Sequence, residues 1–135
     1  MTFVKRIERV ALAVENLEQA REYFEKCFGA NFLPIEFIED MGIRYQPFEI
    51  GEGRMELLEA TRDDSPVAKF LKARGGPGIH HITFEVDDLD RTIVYLKEKG
   101  VPITDGPTVT SSGSRFCFID APDKYEIELI ERQKG

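Results

Sequence analysis

One histidine, two glutamates and one arginine carry the chemistry that can be read from this sequence, and they occupy matching places in two repeated segments. Arg9 lies in IERVALAVENL and His81 in IHHITFEVDDL, whereas Glu56 lies in MELLE and Glu128 in IELIE. A single offset of 72 residues puts Arg9 on His81 and Glu56 on Glu128. Two matches at one offset, 47 residues apart along the chain, imply a duplicated unit. An imidazole is a borderline nitrogen ligand and carboxylates are hard oxygen ligands. His81, Glu56 and Glu128 are therefore a donor set suited to zinc or another divalent transition metal. Arginine offers the opposite chemistry, a fixed positive charge. A second arrangement has Arg9 paired with Glu56 and Glu128 and no ion at all. In a third, these are charges on amphipathic strands that only satisfy one another or the solvent.

The elements that position these residues follow from periodicity. Residues 7–14 and 80–86 alternate as strands, and each leads into a helical stretch that Asn16 or Asp88 caps. Gly29 and Gly100 are natural helix stops. Short strands follow at 35–39, 43–50 and 54–59, and again at 101–104, 115–120 and 125–131. The expected fold is α+β: two tandem βαβββ modules, approximately 7–60 and 79–131, within a single domain spanning 1–135. Residues 61–78 join the modules, with a short helix opening at Ser65-Pro66 and ending at Gly75-Gly76. Strand parity places Val10, Leu12, Val14, Ile82, Phe84 and Val86 against the helices, and likewise Met55, Leu57, Tyr125, Ile127 and Leu129. Arg9, Glu56, His81, Thr83 and Glu128 then share the opposite face. If the two sheets join edge to edge, that face becomes the concave lining of a cleft in a mixed sheet. The offset pairs Cys117 with Tyr45 and assigns both to the cleft. His80 has the other parity and is expected to be structural. Glu59 and Glu131 end their strands as surface charges.

Composition narrows the alternatives. The 135 residues are 41% hydrophobic and include ten Phe, enough for one real core. A formal net charge of −7 excludes general affinity for nucleic acid or anionic membranes. Cys27 and Cys117 match no zinc spacing and no CxxC motif, and both are expected to be reduced and buried. No segment approaches the roughly 18 apolar residues of a membrane span. A soluble, cytoplasmic protein is expected.

The paired modules resemble the vicinal oxygen chelate superfamily, which includes glyoxalase I, extradiol dioxygenases, bleomycin-resistance proteins and methylmalonyl-CoA epimerases. The block SPVAKFLKARGGPGIHHITFEVDDLD, the GSRFCF segment and the final IELIE look most like the epimerases. The resemblance covers nearly the whole chain and implies a glyoxalase-like fold, a homodimer and a small-molecule substrate carried as an acyl-CoA. It implies an isomerase that removes and returns the proton α to a thioester, with a divalent metal (cobalt, zinc, manganese or nickel) stabilising the enolate. Carried over by position, Glu56, His81 and Glu128 are three of the four metal ligands, and Glu128 is also a catalytic base. The fourth ligand position falls on Arg9, which cannot ligate a metal. The position of the other base, three residues after Gly42, falls on Tyr45, with Glu49 a weak substitute four residues on. Two further activities remain open: a metal-free module that binds or sequesters small anions, and a glyoxalase I-type lyase.

Overall fold

The computed structural model describes residues 3–110 and 112–133. In chain order the strands and helices are β1 Val4–Ala13, α1 Leu17–Phe28, β2 Asn31–Phe32, β3 Glu36–Ile38, β4 Ile43–Ile50, β5 Gly53–Ala60, α2 Pro66–Arg74, β6 Gly78–Val86, α3 Leu89–Glu98, β7 Ile103–Val109, β8 Arg115–Ile119 and β9 Ile127–Glu131. They fall into two compact units. The first runs from Arg9 to His80 and so takes in the joining segment with α2; the second contains the chain up to Glu8 and from His81 onward. Salt bridges from Lys5 and Arg6 to Glu85, and from Arg132 to Glu8, tie the start of β1 into the second unit.

The second unit is a βαβββ module with a mixed sheet, and the first follows the same plan with one additional short strand, β2. In the first, the order is β2–β4–β5–β1, with β3 also on β4; in the second it is β6–β9–β8–β7. The parallel registers repeat residue for residue. Val10, Ala11 and Leu12 face Met55, Glu56 and Leu57, and Ile82, Thr83 and Phe84 face Ile127, Glu128 and Leu129. The 72-residue offset is thus a structural equivalence for the two central strands of each module.

The helices begin and end where the local chemistry requires. Asn16 accepts from the Gln19 amide at 2.9 Å, and Asp88 accepts from the Arg91 amide at 3.0 Å. Ser65 caps α2 through the Val67 amide at 3.1 Å, and Pro66 supplies a helical φ at its first position. Gly29 ends α1 in the left-handed region at φ 64°, where its amide reaches the Glu25 carbonyl.

Beneath α1, Leu17, Leu57 and Phe48 form a core with Leu12, Val14 and Phe24. Beneath α3, Leu89 and Ile93 pack on Val86 and Leu129 with Phe84 and Ile127. In the first unit the other sheet face is also covered: Ala11, Ala13, Ile43 and Leu58 pack with Val67, Phe70 and Leu71 of α2. His80 packs against Phe70 with ring centroids 4.8 Å apart, and burial lowers its pKa.

Glu59 and Glu131 are not surface charges. Glu59 accepts the amide of Leu17 at 2.8 Å, and Glu131 accepts the amide of Leu89 at 2.7 Å. Each carboxylate meets the first N–H of its module's helix, one of the donors that a helix cannot satisfy internally. Arg44 also pairs with Glu59.

Several expectations are corrected. Tyr125 is 67% exposed because β9 begins only at Ile127. The strand expected at 101–104 continues to Val109. Its Asp-Gly-Pro, which signals a turn, is absorbed by register shifts against β8, as an irregular strand allows. Cys27 is exposed: Leu17, Ala20 and Phe24 supply the helix's contacts to the core, whereas Cys27 lies in its last turn and outside that cluster. Cys117 is fully buried, and desolvation followed by the charge of Glu128 pushes its thiol up to about 11. No helix among the described residues is long and apolar enough to cross a membrane.

In urea unfolding, Glu131→Ala should lose about 1–2 kcal/mol, as expected for a lost helix-terminal acceptor, and Glu131→Gln should lose less. The exposed Glu126→Ala should stay within about 0.5 kcal/mol of the parent. An Ellman titration of the native protein should find Cys27 reactive and Cys117 reactive only after unfolding. Equal, rapid modification of both thiols would contradict this placement.

Candidate functional site

In the second unit, β6 and β9 bring His81, Thr83 and Glu128 onto one sheet face. Thr83 lies directly opposite Glu128 in the parallel ladder, and its hydroxyl donates to Glu128 Oε1 at 2.8 Å. His81 Nε2 lies 4.0 Å from the same oxygen. Phe118 pairs with Glu128 across β8 and β9 and meets the His81 ring edge-on at 5.6 Å. All three polar side chains are buried. A carboxylate in this setting is oriented by a neutral hydroxyl donor and lies beside an aromatic wall. That is a suitable environment for a group that accepts a proton from carbon.

In the first unit, β1 and β5 place Arg9 and Glu56 together, with Arg9 Nη1 donating to Glu56 Oε1 at 3.1 Å. The side chains are only 14% and 6% exposed, so this is a largely desolvated ion pair. Tyr45 of β4 lies directly opposite Leu58, two residues beyond Glu56, and hence on Glu56's face of the sheet. Burial first, then the charges of Glu36 and Glu56, push its phenol up to about 12. At neutral pH Tyr45 is a neutral hydroxyl and cannot serve as the base expected at this position. Glu36 lies directly opposite Tyr45 on β3, a neighbour that neither the repeat nor strand parity points to. The weak substitute Glu49 is exposed and accepts from Asn31 at 3.1 Å.

Cys117 is not a companion of Tyr45. It lies opposite Leu129 and packs with Leu89 and Ile93, on the side of the sheet that carries α3. The cause is a one-residue change of offset between the modules. Pro47 faces Glu56, whereas Phe118 faces Glu128, so β4 and β8 correspond at an offset of 71 rather than 72. A one-residue slip exchanges the two faces of a strand. Phe116 is therefore the counterpart of Tyr45, and Phe118 joins the Glu128 face against the expectation from the repeat. Gln46 is the counterpart of Cys117 and binds Arg21 at 2.9 Å.

The residues do not fit the divalent metal that the resemblance implies. In the first unit, Arg9 holds the place that His81 holds in the second, because the β1–β5 and β6–β9 registers are equivalent. A guanidinium has only donors, and this one directs a donor at the carboxylate that would ligate the ion. Among the described residues, no three His, Cys, Asp or Glu side chains are grouped so as to hold a metal ion.

The fold has counterparts among known proteins. The chain matches the Glyoxalase/Bleomycin resistance protein/Dioxygenase superfamily over residues 6–129. It is 32% identical over 119 residues to the mitochondrial methylmalonyl-CoA epimerase of Bos taurus, covering 87% of this chain and 68% of that protein. The crystal structure of methylmalonyl-CoA epimerase from Mycobacterium tuberculosis superimposes with a TM-score of 0.88 at 28% identity, covering 99% of this chain and 92% of that one. A variant of the Streptomyces coelicolor epimerase in complex with 2-nitronate-propionyl-CoA gives a TM-score of 0.84 at 30% identity, covering 97% of this chain and 99% of that one. With duplicated βαβββ modules and a match over nearly its whole length, the chain belongs to the Glyoxalase/Bleomycin resistance protein/Dioxygenase superfamily.

Proposed function

We propose that this protein is an isomerase of the methylmalonyl-CoA epimerase type, which moves the proton on the carbon α to an acyl-CoA thioester. The observation that carries this reading is Glu128, a buried carboxylate held at 2.8 Å by the Thr83 hydroxyl, at the position that the resemblance gives to a base. Similarity to methylmalonyl-CoA epimerases over most of the chain supports the substrate class. So does the acyl-CoA analogue in the complex of the Streptomyces coelicolor protein. The same reading takes the protein as a cytoplasmic homodimer.

The chemistry assigned to Glu128 is simple. Its carboxylate takes the C2 proton, and the electron pair of the broken C–H bond moves into the thioester to form an enolate. Thr83 holds the carboxylate in one orientation while it does so. Return of a proton to C2 restores the thioester, and exchange of the proton on Glu128 with water leaves an isotopic mark. Hydrogen exchange at C2 needs only one competent base, whereas inversion needs delivery from both faces. Exchange therefore tests Glu128 without assigning the second group.

Incubation with methylmalonyl-CoA in deuterium oxide should introduce deuterium at C2, measured by mass spectrometry. Glu128→Gln removes the base and should lower the exchange rate by at least about 100-fold. Thr83→Val leaves the carboxylate but removes its donor, and should lower the rate less. Full exchange by Glu128→Gln would exclude Glu128 as the base. Binding of several acyl-CoA thioesters with no exchange in the wild type would favour a module that sequesters small anions.

A further inference from the structure

We propose that Arg9 replaces the divalent metal: the cation that receives anionic ligand oxygen in this protein is a covalently fixed guanidinium, and the protein works without a metal ion. The inference rests on the acyl-thioester reading and goes beyond it by assigning the electrophile. Its foundation is the register of the first strand. Ala11 faces Glu56 just as Thr83 faces Glu128, so Arg9 and His81 are equivalent residues two positions earlier on their strands. The arginine is thus at the ligand position itself, not displaced from it by a slip.

Three features make the substitution chemically coherent. Arg9 donates to Glu56 at 3.1 Å, so the carboxylate that would have served an ion already has a cationic partner. Both side chains are largely withdrawn from water, where a charge without its counterion is costly and a guanidinium–carboxylate pair is satisfied by hydrogen bonding. The guanidinium stays protonated across the accessible pH range and carries five N–H donors in a planar fork, a geometry that suits carboxylate and enolate oxygen. A metal brought to Glu56 would have to approach a positive charge that no change of pH removes. A fixed guanidinium offers positive charge to an anionic oxygen, the same electrostatic device that a metal supplies, in weaker but permanent form.

Metal binding tests this independently of turnover. Isothermal titration with cobalt(II) and zinc(II) should be run on wild type, Arg9→His and Arg9→Gln, with elemental analysis of each purified protein. The wild type should contain far less than one metal per chain and show no tight site. Arg9→His supplies an imidazole and removes the repelling charge, so its divalent affinity should rise on the order of 100-fold. Arg9→Gln removes the charge without adding a strong ligand and should gain much less. A stoichiometric, tight cobalt or zinc site in the wild type overturns the proposal, even if Arg9→His does not fold. Equal affinity in wild type and a folded Arg9→His overturns it as well. Because none of these titrations uses a thioester, their outcome for Arg9 stands even if the epimerase reading fails. Deuterium exchange that depends strictly on added metal would refute Arg9's role while leaving the reaction class standing.

Discussion

The contact on which both modules depend is a carboxylate at the end of a strand accepting the first amide of a helix. Glu59 does this for Leu17 and Glu131 for Leu89, at 2.8 and 2.7 Å. A helix N-terminus offers unsatisfied N–H groups and partial positive charge, and a carboxylate answers both at once. The consequence reaches the functional face through simple alternation. Glu56 and Glu128 lie three residues before these anchors on the same strands, an odd spacing that turns them to the opposite side of the sheet. Anchoring the strand end to the helix therefore sets which carboxylates face away from it. A one-residue slide would bring Glu56 or Glu128 to the helix side and break the anchor in the same movement.

On that shared frame the modules carry different chemistry. The second presents an imidazole, a hydroxyl and a carboxylate, groups able to hold or move a proton. The first presents a guanidinium locked to a carboxylate, which moves no proton but offers permanent charge. The β1–β5 and β6–β9 registers that carry them are the same, so on these strands the difference resides in side chains rather than backbone. Tyr45 fits this division. With its phenol pushed up to about 12, it adds a neutral hydroxyl to the first module rather than a second base.

The sequence is most legible where two signals agree. Alternation and the repeat together locate β1, β5, β6 and β9 and their polar face. Cap residues locate all three helices, because Asn16, Ser65 and Asp88 each have one chemical task to perform. Legibility fails where the repeat is extended past an indel. The offset of 72 holds for the strands bearing Glu56 and Glu128 but becomes 71 on β4 and β8. That change sends Cys117 to the α3 side and puts Phe118 opposite Glu128. The roles of Glu59 and Glu131 are hidden for a different reason. A glutamate ending a strand looks like a solvated charge until the helix that starts 42 residues earlier in the chain is placed above it. Cys27 shows the limit of a helical stripe, since periodicity cannot tell where the core beneath a helix ends.

Proton transfer by Glu128 without a metal ion is tested most directly by one rate. That rate is the release of deuterium from C2-deuterated methylmalonyl-CoA into water by wild-type protein after exhaustive dialysis against a chelator. Release should be proportional to protein concentration and unchanged when cobalt is returned. Absence of release, or release only once cobalt is restored, would contradict it.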